Sequence, residues 1–179
     1  MVFPLVPRYK TAANAGVMHK DIEMYLWKIN QLKETLSTTG LSQKSSLSYL
    51  LIFGVVVTGG MEFMAYVPYE NINIWRQVIT VGYLLFAVVG TCLFYKANGG
   101  SSGENIFERY ISLGVVVTIR LIPLMVALMI GLGVYLGITQ GVEDDFMAHT
   151  TLAEVVITLF WAFLVWYKMV SHVRDVANA

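Results

Sequence analysis

Three ionisable residues lie inside long apolar stretches of the sequence, and they are the first candidates for chemistry. They are Glu62, Arg120 and Glu154. A charge inside a hydrocarbon layer is costly unless it has a partner, water or the interface, so an intramembrane charge marks a candidate functional residue. Two carboxyl groups and a guanidinium on neighbouring helices could line a path for an ion or a small solute. A small oligomeric channel or transporter is therefore one predicted function.

The predicted depths of these residues argue against a direct ion pair within one chain. Helices rise about 1.5 Å per residue, so Arg120 is roughly 15 Å beyond Arg109 at the cytoplasmic boundary. Glu62 and Glu154 lie near the outer boundary, and the vertical gap of order 15 Å exceeds the reach of one side chain. Two interpretations of Arg120 remain open. Either Arg120 pairs with an acid, of this chain if the third span tilts or of another subunit, or it reaches the inner headgroups because the span begins only near Val115.

No set of residues has the pattern of a catalytic or metal site. No Ser-His-Asp, paired-acid or Cys-His combination converges on one side of the membrane. The three histidines, His19, His149 and His172, fall at different boundaries, which disfavours haem between helices. The single cysteine, Cys92, excludes an intrachain disulfide and is predicted to be a small core residue. We therefore predict a protein that is not an enzyme and that holds no metal or cofactor.

The composition identifies the solvent of this chain as lipid. Hydrophobic residues make up 56% of the sequence and charged residues 13%, whereas soluble domains have roughly a quarter charged residues. A hydrocarbon core about 30 Å thick requires roughly 20 helical residues. Four segments satisfy this requirement, which predicts an all-α, polytopic membrane protein. The predicted spans are 47–66, 76–95, 110–136 and 150–167.

The distribution of lysine and arginine predicts the orientation. Ten basic residues fall before the first span, in the second loop and in the tail, and one falls in the outer loops. Because cytoplasmic loops are enriched in Lys and Arg, both termini are expected in the cytoplasm of a multi-pass protein of the plasma (inner) membrane. The predicted organisation is a cytoplasmic segment 1–46, a membrane domain 47–167 and a cytoplasmic tail 168–179. Membrane lipids and membrane proteins, rather than nucleic acid, are the expected partners.

An amphipathic helix is predicted before the first span. Its apolar residues alternate spacings of four and three, which is the pattern of a coiled-coil-like seam. The seam is too short to be stable alone, so something must cover it. Three covers are considered: the inner leaflet, a neighbouring subunit or partner protein, and loops of this chain. The seam consists of Met18, Ile22, Tyr25, Ile29, Leu32 and Leu36.

Glycines supply the last candidate contact sites. Gly59 and Gly60 precede Glu62, and Gly133 and Gly137 form a Gly-xxx-Gly step in the third span. Small residues let two membrane helices approach closely, so these positions are predicted to pack against other helices. Together with the seam, they favour a non-enzymatic membrane subunit that assembles with copies of itself or with partners. The channel or transporter is the alternative.

Overall fold

The computed structural model describes residues 25–65, 73–140 and 150–179, and these residues are almost entirely helical. No strand occurs within these ranges, so the all-α prediction is confirmed for them. A short 3-10 turn, Gly100–Ser102, separates the third and fourth helices. The helices are α1 Ile29–Thr38, α2 Gln43–Ala65, α3 Ile74–Ala97, α4 Ile106–Gln140 and α5 Leu152–Ala177.

Three helices of the described part are long and apolar enough to cross a membrane. They are α3, residues Ile106–Thr139 of α4, and α5. The structure therefore supports a multi-pass membrane protein. The remaining predicted span falls on α2, which is 23 residues long but is not among these three, so the count of four spans stays a prediction. The predicted helix before it is described only from Tyr25 onward. Residues 25–28 are not helical, so the prediction is wrong at Tyr25, and α1 begins at Ile29.

Local sequence explains where several helices begin and end. The Asn73 side chain accepts a hydrogen bond from the backbone N–H of Arg76 at 3.0 Å and so caps α3. At the other end of α3, Gly99 and Gly100 have φ values of 100° and 59°, a left-handed region that glycine enters without a steric penalty. These residues reverse the chain toward α4. The α5 helix continues to Ala177 and so includes most of the predicted tail.

The hydrophobic core lies at one end of the bundle, where α1 meets α4 and α5. Here α4 is buried along residues 115–117, so its first turns pack on this chain rather than face lipid. Where along α4 the third span begins stays a prediction. The buried members of the core are Ile29, Leu32, Leu36, Tyr49, Phe94, Leu113, Val115, Val116, Val117, Met169, Val173 and Val176.

The α5 helix is the centre of the packing, and α2 is at its edge. Contacts join α5 to α1, α3 and α4, whereas α2 packs mainly against α4.

Cys92 is exposed on α3, so its predicted place in the core is wrong. The error has a simple cause: hydropathy places a cysteine in a span, but the rotation of the helix decides whether the cysteine faces protein or lipid.

Candidate functional site

Glu154 forms the capping box of α5. Its carboxylate accepts a hydrogen bond from the backbone N–H of Thr151 at 2.7 Å, and the Thr151 hydroxyl accepts one from the backbone N–H of Glu154 at 3.3 Å. This reciprocal pair satisfies two N–H groups that have no partner within the helix. An acid in the first turn also lies at the positive end of the helix dipole. The cap of α5 therefore explains why a glutamate is present at position 154, and no polar path through the membrane is needed to explain it.

We predict that Glu154→Gln retains nearly the stability of the natural protein, because the Gln side-chain oxygen can still accept the capping hydrogen bond. Glu154→Ala and Thr151→Ala should each lower the free energy of unfolding by about 1 kcal/mol. Thermal unfolding followed by tryptophan fluorescence in detergent measures both effects. An equal loss in the Gln and Ala variants would show that the negative charge, and not the cap, is what matters at position 154.

The structure does not bring the three intramembrane candidates together. Glu62 is exposed on α2 and Arg120 is exposed on α4. Within the described residues, no hydrogen bond or ion pair connects these two residues to each other or to Glu154. A single-chain path lined by all three residues has no support from these positions.

A buried arginine that the sequence analysis used only as a boundary marker forms the best-defined polar cluster. Arg109, 8% exposed, donates from Nη1 to Asn98 Oδ1 at 2.9 Å and from Nη2 to the Leu36 carbonyl at 3.3 Å. Asn98, 2% exposed, donates in turn to the carbonyl of Glu104 at 3.2 Å. We call Arg109 and Asn98 with these two carbonyls the Arg109 cluster.

The position of the Arg109 cluster explains how a guanidinium is tolerated there. Asn98 is the C-cap of α3, and Leu36 lies in the last turn of α1. Each helix C-terminus carries a partial negative charge of roughly half an elementary charge, so two such ends oppose one cation. The cluster holds α1 to the α3–α4 turn and acts as a structural clamp. No local motif reveals it, because its members come together only in the folded chain.

Further contacts attach α1 and its neighbouring turns to the rest of the molecule. Lys33 Nζ lies 2.8 Å from Asp175 Oδ2 on α5. The Tyr49 hydroxyl accepts a hydrogen bond from the backbone N–H of Tyr25 at 2.9 Å, and the Glu108 carboxylate accepts one from the backbone N–H of Leu41. The segment around α1 therefore has polar contacts to α2, α4 and α5.

The apolar seam is covered by this chain over its described part. Ile29, Leu32 and Leu36 are 8%, 0% and 3% exposed, and Tyr25 is half-buried. The other two seam residues, Met18 and Ile22, lie outside the described residues. The observed cover is the core formed with α4 and α5, rather than loops of this chain. Contact between the seam and a partner stays a prediction.

The predicted packing glycines face open space within the described part of the chain. A Cβ added at Gly59, Gly60, Gly133 or Gly137 would meet no atom within 4 Å. Contact between these glycines and a helix of another subunit therefore also stays a prediction.

Two other glycines make close contacts between helices. A Cβ at Gly82 would overlap the end of Leu159, and one at Gly90 would overlap the indole ring of Trp166. Both contacts join α3 to α5. Glycine spacing in the sequence does not distinguish the two groups, because helix rotation decides which glycines meet another helix.

An apolar cavity of about 260 Å³ lies between α2, α4 and α5. Its lining includes Phe53, Tyr110, Thr118 and Trp166, and no charged side chain contributes to it. Among the described residues, no group of three or more His, Cys, Asp or Glu side chains could hold a metal ion. The cavity has the character of a site for hydrocarbon rather than for acid–base chemistry.

Comparisons with known proteins add no assignment. The sequence matches no family model, and no curated protein and no solved structure matches the chain.

Proposed function

We propose that this protein is a non-enzymatic integral membrane subunit that assembles with copies of itself or with partner membrane proteins. The observation that carries the proposal is the exposed surface of α2 around Gly59, Gly60 and Glu62. Every residue from 55 to 60 is exposed, and so is Glu62. Val56 and Val57 border the apolar cavity next to α4 and α5, whereas a Cβ added at Gly59 or Gly60 meets no atom within 4 Å.

The composition of that segment is poorly suited to lipid on all sides. Valines 55–57 can face hydrocarbon, but Gly59 and Gly60 expose backbone, and Glu62 brings an ionisable group into an apolar layer. Helix association in membranes uses small residues for close approach and polar side chains for hydrogen bonds. Gly59 and Glu62 are three residues apart and therefore share a face of α2. A helix from another subunit would cover both.

The Glu62 side chain supports the proposal because its carboxyl group forms no hydrogen bond or ion pair within the described residues. A carboxyl group in hydrocarbon is stabilised either by protonation and hydrogen bonding or by a polar neighbour. Assembly through this face of α2 supplies such a neighbour. The alternative of a channel or transporter has weaker support, since Glu154 serves the cap of α5 and Arg120 forms no ion pair with a described acid.

We predict that Gly59→Leu and Gly60→Leu, alone or together, fold normally but weaken assembly. The added side chains meet no atom within 4 Å in the single chain, so the fold has room for them. Between two closely packed helices they would force the backbones apart. An increase of at least about tenfold in the dissociation constant is expected, equivalent to about 1.4 kcal/mol. Light scattering after size-exclusion chromatography in mild detergent measures the assembly.

Ala87→Leu on α3 is the matched control, because it adds similar volume at an exposed position on another helix. It should leave the size of the assembly unchanged. A natural protein that is monomeric over the full concentration range, and that purifies without partners, would contradict the proposal. So would an assembly whose size and stability are unaltered by the double glycine substitution.

A further inference from the structure

The apolar cavity between α2, α4 and α5 is elongated along α4. Its lining residues on α4 run from Tyr110 to Ile119 at spacings of three and four, so they form one face of that helix. With a rise of about 1.5 Å per residue, this face is roughly 13 Å long. Because α4 is long and apolar enough to cross a membrane, a cavity along this helix follows the direction of the acyl chains of a bilayer.

The wall of the cavity on α2 is also outer surface of the chain. The lining residues Val56 and Val57 are 39% and 43% exposed. The α2 helix packs mainly against α4 rather than against α5. The gap between α2 and α5 is therefore an opening through which surrounding lipid can enter.

We propose that an acyl chain of a membrane lipid occupies this cavity. No charged side chain lines it, and an engineered apolar cavity of about 150 Å³ stays free of water and binds benzene. The present cavity has a volume of about 260 Å³, so it has room for a larger hydrocarbon group. Its length along α4 favours a chain over a compact ring. The acyl chain restores the dispersion contacts that the lining atoms of an empty cavity lack.

The acyl chain contacts α2 and α5 at the same time. The wall on α2 includes Phe53, Val56 and Val57, and the wall on α5 includes Trp166 and Met169. A lipid chain between these walls stabilises α2 beside α5, although the two helices are not closely packed against each other. The site is formed by one chain and does not depend on the proposed assembly.

Trp166 provides a fluorescent reporter in the cavity wall. The full-length protein with Trp27→Phe, Trp75→Phe and Trp161→Phe retains Trp166 as its single tryptophan. It is reconstituted in vesicles of dioleoyl phosphatidylcholine in which a rising fraction of the lipid carries bromine atoms on an acyl chain. Bromine quenches indole fluorescence only at short range, so strong quenching of Trp166 is expected. Acrylamide, a quencher dissolved in the water, should have little effect.

Val57→Phe in this single-tryptophan protein distinguishes a chain in the cavity from lipid at the outer surface. A benzene-sized group fills a cavity of about 150 Å³, more than half of the present volume, so quenching by the brominated lipid should fall about twofold. Val88→Phe is the matched control, because it makes the same change at an exposed position of α3 outside the cavity. It should leave the quenching unchanged. Thr118→Leu adds volume from α4, should also lower the quenching, and decides the test if Val57→Phe does not fold.

Three results would overturn the proposal. Weak quenching by brominated lipid with strong quenching by acrylamide would show that water fills the cavity. Protection of Trp166 from both quenchers would show that a protein segment, of this chain or of a second copy, fills it. Quenching by brominated lipid that neither Val57→Phe nor Thr118→Leu reduces would come from lipid at the outer surface.

Discussion

Arg109→Leu is expected to lower the free energy of unfolding by about 3 kcal/mol and to release α1 from the bundle, because it leaves buried acceptors without donors. The substitution removes the two guanidinium donors of the Arg109 cluster. Asn98 Oδ1 and the Leu36 carbonyl would then lie in the core without hydrogen bonds. The loss is larger than that of a surface charge because neither acceptor can reach water while α1 stays docked.

Two measurements separate the loss of stability from the release of α1. Unfolding followed by tryptophan fluorescence gives the change in stability. The rate of hydrogen exchange of the α1 amides shows whether α1 stays packed against the bundle. These amides should exchange faster in Arg109→Leu, whereas the exchange rates of α3 and α5 should change less. Arg174→Leu is the matched control, since it makes the same chemical change at an exposed position. It should shift the stability by no more than about 0.5 kcal/mol.

The hydrogen-exchange result decides whether the Arg109 cluster is a clamp. If α1 stays as protected in Arg109→Leu as in the natural protein, the Lys33 and Tyr25 contacts and the apolar seam are enough to hold it. Arg109→Lys gives an intermediate case, because its single ammonium group can reach one of the two acceptors but lacks the planar fork. Its stability should fall between those of the natural protein and Arg109→Leu.

Gly90→Ala is expected to lower the free energy of unfolding by about 1–3 kcal/mol, the usual cost of overpacking a tight contact. The added methyl group would overlap the six-membered ring of Trp166. The indole is rigid, and its neighbour Tyr110 lies at a centroid distance of 6.1 Å, so the ring cannot move without disturbing α4. The α3–α5 pair must therefore separate.

Two other glycines provide a graded control for Gly90→Ala. Gly82→Ala should cost less, because its neighbour is the end of the flexible Leu159 side chain. Gly59→Ala should cost nothing in the single chain, since no atom lies within 4 Å. Chemical denaturation in one detergent ranks the three variants. A loss at Gly59 equal to that at Gly90 would contradict the packing described for α3 and α5.

Local sequence determined the class of this protein and much of its helical structure. The composition and the length of the apolar stretches predicted helices that cross a membrane, and three such helices are present in the described part. These features follow from the transfer of individual side chains into lipid and from short-range backbone hydrogen bonds. Neither depends on which helix lies beside which. The same information did not establish whether α2 is a fourth span.

Tertiary structure alone decided what the notable side chains do. Glu154 caps α5, and Arg109 holds α1 to the turn between α3 and α4. Gly82 and Gly90 make close contacts between α3 and α5, whereas the four glycines predicted from the sequence to pack against helices make none within the described chain. The rotation and the depth of each helix in the bundle determine which acceptor a charged side chain contacts and which side chain packs against a glycine. Arg109 and the Leu36 carbonyl are 73 residues apart, and packing between helices, not sequence spacing, brings them into contact.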